Sequence, residues 1–208
     1  MRRRLEPEER RKEILQAAAR AFSGRPYDEV HVDEIAREAG ASRALLNHYF
    51  GDKRGLFIAV ARRIVENFPT TVRTDLTDVD PEQMVDANTS AWLDAVEASK
   101  QTFLAFAGTG PIGGDPELEA LQDKLRDRLA TRMLTNHLHT TDIPQAALFT
   151  MRATLGMIER AVIDRLAGKA TRPQTHALIA TAILTTIREV MPAVEAAKGD
   201  SRPARPSA

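Results

Sequence analysis

One stretch constrains this chain more than any other: Ile35 to Lys53, reading I-A-R-E-A-G-A-S-R-A-L-L-N-H-Y-F-G-D-K. It predicts a helix stopping at Gly40, a tight turn, and a second helix opened by Ser42, a residue type that accepts the free N–H groups at a helix start. Two short helices joined by a few residues with a glycine form a helix-turn-helix, and the second helix of that motif fits the DNA major groove.

The flanking residues supply the support such a motif needs. From Pro7 to Ser23 the apolar residues Ile14, Leu15, Ala18, Ala21 and Phe22 recur at helical spacing. Pro7 suits a first turn, and Glu8 and Glu9 complement the positive end of the helix dipole. Val32, Ile35, Ala36 and Ala39 mark the helix before Gly40, with His31 at its N-cap, where Ser or Thr is usual. Lys53 opens a further helix with a wide apolar stripe of Leu56, Phe57, Val60, Ala61, Ile64, Val65 and Phe68, ended by Pro69. That stripe exceeds what a three-helix unit needs, so this helix is expected to touch a second, larger body.

Thr70 to Pro81 reads as a connector. Helical segments follow at Pro81–Ala98, Lys100–Ala107 and Glu117–His139, with a loop by composition from Gly108 to Pro116. Two long helices close the pattern, near Pro144–Ala167 and Pro173–Ala197, each apolar around more than half its circumference. A surface helix of a monomer shows one apolar stripe. These two are therefore expected to be covered a second time, most economically by another copy of the chain. Lys198 to Ala208 reads as a disordered tail. The expectation is an all-α protein of about nine helices. It divides into a DNA-binding domain at 1–53, a helical effector-binding and dimerisation domain at 54–197, and a tail at 198–208.

The charge balance narrows the functional classes. Lys+Arg and Asp+Glu are 29 each, which argues against a binder that works by bulk positive charge and shifts attention to local clusters. Arg2, Arg3, Arg4, Arg10, Arg11 and Lys12 form one such cluster, interleaved with Glu6, Glu8, Glu9 and Glu13, and serve either as a solvated helix face or as phosphate contacts. With no cysteine, disulfides, thiol nucleophiles and thiolate metal sites are unavailable. No apolar run approaches the ~18 residues of a membrane span, and the charged N-terminus leads straight into a helix, so a cytoplasmic protein is expected. The histidines are scattered, no Glu-x-x-His occurs, and the Gly108–Gly114 run lacks the Lys-Ser/Thr of a phosphate loop. Neither an enzyme nor a cofactor is expected.

Three segments together, I-L-Q-A-A-A-R-A-F, V-D-E-I-A-R-E-A-G-A-S and L-L-N-H-Y-F-G-D-K-R-G-L-F, closely resemble the tetracycline-repressor (TetR) family of bacterial transcriptional regulators over about residues 10 to 65. The resemblance implies a three-helix DNA-binding domain, a linking helix, and a helical domain that dimerises and binds a small molecule. Such a dimer sits on a palindromic operator as a repressor, and the small molecule lowers its DNA affinity. Leu45, Asn47 and Asp33 depart from the family pattern, so no relative's operator sequence carries over.

On the recognition helix, Leu46 and Phe50 share a face and should pack inward. Arg43 is the candidate for reading guanine O6 and N7, Asn47 for pairing with adenine and Leu45 for apolar contact, with Ala44 presented on the same outer face. Ser42, His48, Tyr49 and Lys53 suit phosphates, and His31 is a further candidate DNA contact. Blander roles stand beside these: Arg43 on phosphate alone, Asn47 merely exposed, His48 structural. For the effector, Trp92, Phe103, Phe106, Met133, Phe149, Met151 and Met157 are candidate apolar walls and Asn88 and His137 candidate polar groups, around an apolar or weakly polar molecule. Core packing is the competing role for each, and control by a protein partner, or no effector at all, is the competing mechanism. Two recognition helices in a dimer should stand one DNA turn apart, roughly 34–36 Å. Replacing Arg43 by Ala should weaken operator binding by roughly 1–3 kcal/mol, the contribution of one bidentate base contact; an unchanged affinity in a gel-shift titration at fixed salt rules the assignment out.

Overall fold

Every regular element among the described residues is a helix. The computed structural model describes residues 6–67, 80–108 and 112–197. The expected tail at 198–208 lies outside them, as do Phe68, Pro69, most of the Thr70–Pro81 connector and part of the Gly108–Pro116 loop.

Helix α1 (Pro7–Gly24) buries Ile14, Leu15, Ala18 and Phe22 as its periodicity predicts, together with Ala17, while the expected Ala21 is only partly buried at the edge of the same cluster. After a short 3-10 turn (Tyr27–Glu29) come α2 (Val32–Glu38), α3 (Arg43–Phe50) and α4 (Lys53–Asn67). Gly40 makes the turn between α2 and α3 with φ +61, a conformation L side chains rarely adopt. The Ser42 hydroxyl accepts the Leu45 N–H at 3.2 Å and so caps α3. Gly55 holds the next joint: a Cβ there would collide with the Phe50 carbonyl, so only glycine lets α4 start this close to the end of α3. The remaining helices are α5 (Pro81–Ala98), α6 (Lys100–Phe106), α7 (Pro116–Leu138), α8 (Gln145–Leu166), α9 (Arg172–Thr185) and α10 (Met191–Ala196).

Packing divides the chain into two units, and the division does not follow the expected boundary at 53/54. The first comprises residues up to Val72 together with Trp92–Leu125; the second holds Arg73–Ala91 and everything from Arg126 onward. The reason is the burial of α4. Leu56, Phe57, Ile58, Val60, Ala61 and Val65 share one apolar cluster with Phe22, Ile35, Leu46 and Phe50, and Ala105, Ile112, Leu118 and Leu121 complete it.

In the second unit, Ala130 and Leu134 of α7 pack with Ala147 and Met151 of α8 and Met191 of α10. Between α9 and α10 the helix widens into a π turn (Thr186–Val190), where the Met191 N–H reaches back to the Thr186 carbonyl. Pro192, just beyond, has no N–H to offer the regular ladder, which accounts for the rearrangement. The widened turn brings Thr186 Oγ1 within 2.8 Å of Thr154 Oγ1, and both hydroxyls are buried and bonded. Sequence periodicity alone predicts one uninterrupted helix here. No run of membrane-span length was expected, yet Arg172–Ala196 as a whole is long and apolar enough, by length and composition only, to cross a bilayer, a test that core helices of soluble proteins also pass; 22% of its apolar stretch is buried within the chain.

Charge fastens α7 to α4. Asp115 Oδ1 accepts the N–H groups of Glu117 and Leu118, capping α7, and the Asp115 carboxylate also receives the Arg54 guanidinium, with Nη2 at 2.8 Å. Arg62 Nη2 donates to Glu117 at 2.8 Å. The Arg54 hydrogen bond, aided by the backbone donors, holds the Asp115 pKa below its usual range. A depressed carboxylate pKa stabilises the fold fully above the ordinary aspartate value of about 3.9, and that contribution fades as pH falls below it. Asp115→Asn, which keeps a cap acceptor but no charge, should therefore be less stable than wild type at neutral pH. The gap should close in acid when denaturant titrations are run across a pH series; a pH-independent gap would overturn the role given to this ion pair.

Candidate nucleic-acid interface

The first unit presents α3 to solvent on one side only. Leu46 and Phe50 are 1% and 9% exposed and anchor the helix, whereas Arg43, Ala44, Asn47 and His48 face outward. Leu45 is half-buried. Spacing of four residues between Leu46 and Phe50 produces this two-sidedness, as an amphipathic helix requires. A shallow hollow of about 500 Å³ opens beside the start of α3, lined by Asp33, Ala36, Arg37, Gly40, Ala41, Ser42 and Arg43.

The candidate DNA contacts differ in how they are held. Arg43 Nη1 donates to Asp33 Oδ2 at 2.8 Å across the α2–α3 turn, with both side chains more than half exposed. Asn47 stays on the outer face of α3. His48 stacks edge-on against Tyr49 at 5.6 Å, and the Tyr49 hydroxyl donates to the Pro7 carbonyl at 3.4 Å, tying α3 to the start of α1. His31 sits exposed at the N-cap of α2, and its side chain makes no capping bond.

Lys53 has partners that its expected phosphate role did not include. Its ammonium lies 4.6 Å over the Tyr27 ring and donates to the Asp28 carbonyl at 3.1 Å. Lost hydration lowers its pKa, and nearby Asp28 works against that shift. The lysine thus clamps the 3-10 turn onto α4. From the basic N-terminal run, Arg10 bonds the Ala39 carbonyl at 3.2 Å and Glu13 at 3.0 Å, and Arg11 lies 5.5 Å over the Phe50 ring. These two positions brace the three helices. Arg37 is the residue that spacing alone does not single out: it is exposed and lines the hollow beside Arg43.

The candidate effector residues fall in different surroundings. In the first unit Trp92 and Phe103, both half-buried, meet edge to face at 6.3 Å, and Phe106 packs against the large cluster. In the second unit Met151 is fully buried and Met133 packs against the same small cluster, while Asn88 is half-buried on α5. His137 is exposed at the end of α7; partial desolvation, with His139 alongside, lowers its pKa and favours the neutral ring. Phe149 and Met157 turn away from the core, 66% and 45% exposed. Periodicity could not separate the inner from the outer side of α8, because the helix is apolar on both.

Known proteins match this arrangement. The model of the family described as bacterial regulatory proteins, tetR family, matches residues 14–60, which lie within α1 to α4. The HTH-type transcriptional activator FasR of Mycolicibacterium smegmatis is 38% identical over 101 residues, covering 48% of this chain and 46% of FasR, so the match spans just under half of that relative. The HTH-type transcriptional repressor AcnR of Corynebacterium efficiens is 31% identical over 166 residues, covering 74% of this chain and 82% of AcnR. The crystal structure of a tetR-family transcriptional regulator from Streptomyces coelicolor has a TM-score of 0.70 at 26% identity, covering 97% of this chain and 94% of the other. With its DNA-binding helices matched by the family model and AcnR aligned along most of both chains, the protein belongs to the TetR family of bacterial transcriptional regulators.

Proposed function

We propose that this chain is a cytoplasmic, homodimeric repressor that binds a palindromic operator through α3 and is released by a small apolar or weakly polar molecule. The observation that carries the DNA-binding part is the anchored, outward-facing α3: two buried apolar side chains fix it while Arg43, Asn47 and His48 remain available to bases and phosphates. Repression is preferred over activation because AcnR, the relative matched along 82% of its own length, is named a repressor, whereas FasR, named an activator, is matched over 46%. No catalytic step is part of this reading.

Dimerisation is supported by the apolar surface of the second unit. Phe149 and Met157 lie two turns apart on α8 and are exposed, as are Leu178 on α9 and Val190 in the π turn. Large apolar side chains grouped on a helix surface mark an interface more often than free surface, and fully burying one contributes about 1.5–3 kcal/mol. A second copy meeting α8 and α9 covers them by two-fold symmetry. On this reading Phe149 and Met157 are dimer contacts rather than pocket walls. Met151, wholly inside the small cluster, is a packing residue. Trp92, Phe103, Phe106, Met133, Asn88 and His137 remain the candidates for an effector.

Release requires the effector to prefer one of two states of the dimer, since a ligand shifts an equilibrium only by its differential affinity. Thermal-shift screening with apolar compounds should find stabilisers that also lower operator affinity; if none stabilises the protein, the effector class is wrong. Leu178→Glu combined with Phe149→Glu should convert the dimer to a monomer in sedimentation experiments and abolish tight operator binding, whereas a persistent dimer would show that the interface lies elsewhere.

A further inference from the structure

We propose that Asp33 is a specificity-determining residue of the DNA interface: its carboxylate holds the Arg43 guanidinium by one edge, so that the opposite edge reads a guanine rather than settling on phosphate. The inference rests on α3 being the recognition helix.

Asp33 stands in the first turn of α2 and Arg43 is the first residue of α3. Their side chains meet at 2.8 Å, 57% and 63% exposed respectively, on the wall of the hollow beside α3. A pair this exposed contributes little to folding. The start of α2 also keeps Glu34 as a second acidic residue. The fold therefore has little need of Asp33, and a carboxylate on a surface that approaches DNA repels every phosphate equally. Its distinctive effect falls on Arg43.

Three physical consequences favour base reading. The guanidinium has five N–H donors in a fixed plane, so a carboxylate on Nη1 leaves the other edge free to meet guanine O6 and N7 with two parallel bonds. Phosphate attracts arginine chiefly through charge, and an arginine already facing a carboxylate gains less from that attraction than an isolated one. Lastly, the side chain is oriented before DNA arrives, so less rotamer freedom is lost on binding. Exclusion of water at the interface strengthens the Asp33–Arg43 attraction further. Arg37, one turn on from Asp33 and lining the same hollow, carries positive charge toward the backbone without that bond to the carboxylate.

The test is selection from a randomised duplex DNA library with the full-length wild type and the Asp33→Asn, Asp33→Glu, Arg43→Ala and doubly substituted D33N/R43A chains, followed by titration of the enriched duplex and its single-base variants at fixed salt. The wild-type motif should contain one guanine in each half-site whose preference disappears with Arg43→Ala. With Asp33→Asn that preference should fall at least about fivefold, the lower end of one bidentate contact, while affinity for unrelated DNA rises. Asp33→Glu should restore part of the preference, and D33N should remove nothing further once Arg43 is Ala. An undiminished guanine preference in D33N, or an equal loss with and without Arg43, overturns the inference. A guanine preference that survives Arg43→Ala overturns it together with the base-reading role of Arg43. Failure of the wild type to enrich any motif overturns the DNA-binding reading beneath both.

Discussion

The contact on which the DNA-binding half depends is aromatic. Phe57 enters from α4 and meets Phe22 of α1 at 5.1 Å and Tyr27 of the 3-10 turn at 5.4 Å, both edge to face, while Phe22 and Tyr27 stack at 5.8 Å. Rings in these arrangements gain more than their buried area alone supplies. Because one ring of the three belongs to α4, the helix that follows the recognition helix is part of the small domain's core. Burial raises the Tyr27 pKa, and Lys53 lies across the same ring. The orientation of α3 is thereby fixed from both ends, by the Ser42 cap at its start and by the glycine-dependent joint at Gly55 after it.

Much of this was legible from the chain alone. The helix-turn-helix, the Ser42 cap, the inward-facing Leu46 and Phe50 and the breadth of the α4 stripe all follow from periodicity and capping chemistry, which are local. What escaped was set by distance in sequence. The Arg54–Asp115 ion pair spans 61 positions and the Tyr49–Pro7 hydrogen bond 42, and no spacing rule announces either. The apolar cluster shared by α4, α6 and the first part of α7 is likewise visible only in the packing. That Phe149 and Met157 face outward was equally illegible, because a helix apolar all round does not declare which side meets its own core.

Net neutrality acquires a structural meaning once the charges are placed. Several arginines that would otherwise form a basic surface are matched to acids: Arg20 with Glu38, Arg25 with Glu34, Arg54 with Asp115, Arg62 with Glu117. Exposed pairs of this kind stabilise little, yet they flatten the field that would draw the protein onto any DNA. At the outer face of α3 the same matching recurs, with Arg43 in contact with the Asp33 carboxylate.

The π turn at Thr186–Val190 has a consequence for comparing this helix with related ones. Such a turn accommodates one residue more than an α turn, so everything after it is rotated by about 100° relative to an unbroken helix of the same sequence. Met191, the first residue after the turn, lies in the small core. Heptad-style bookkeeping carried through the turn assigns inner and outer faces wrongly from there on. The wider turn takes up one extra residue, so an unbroken α-helix one residue shorter at that point would present the same faces beyond it.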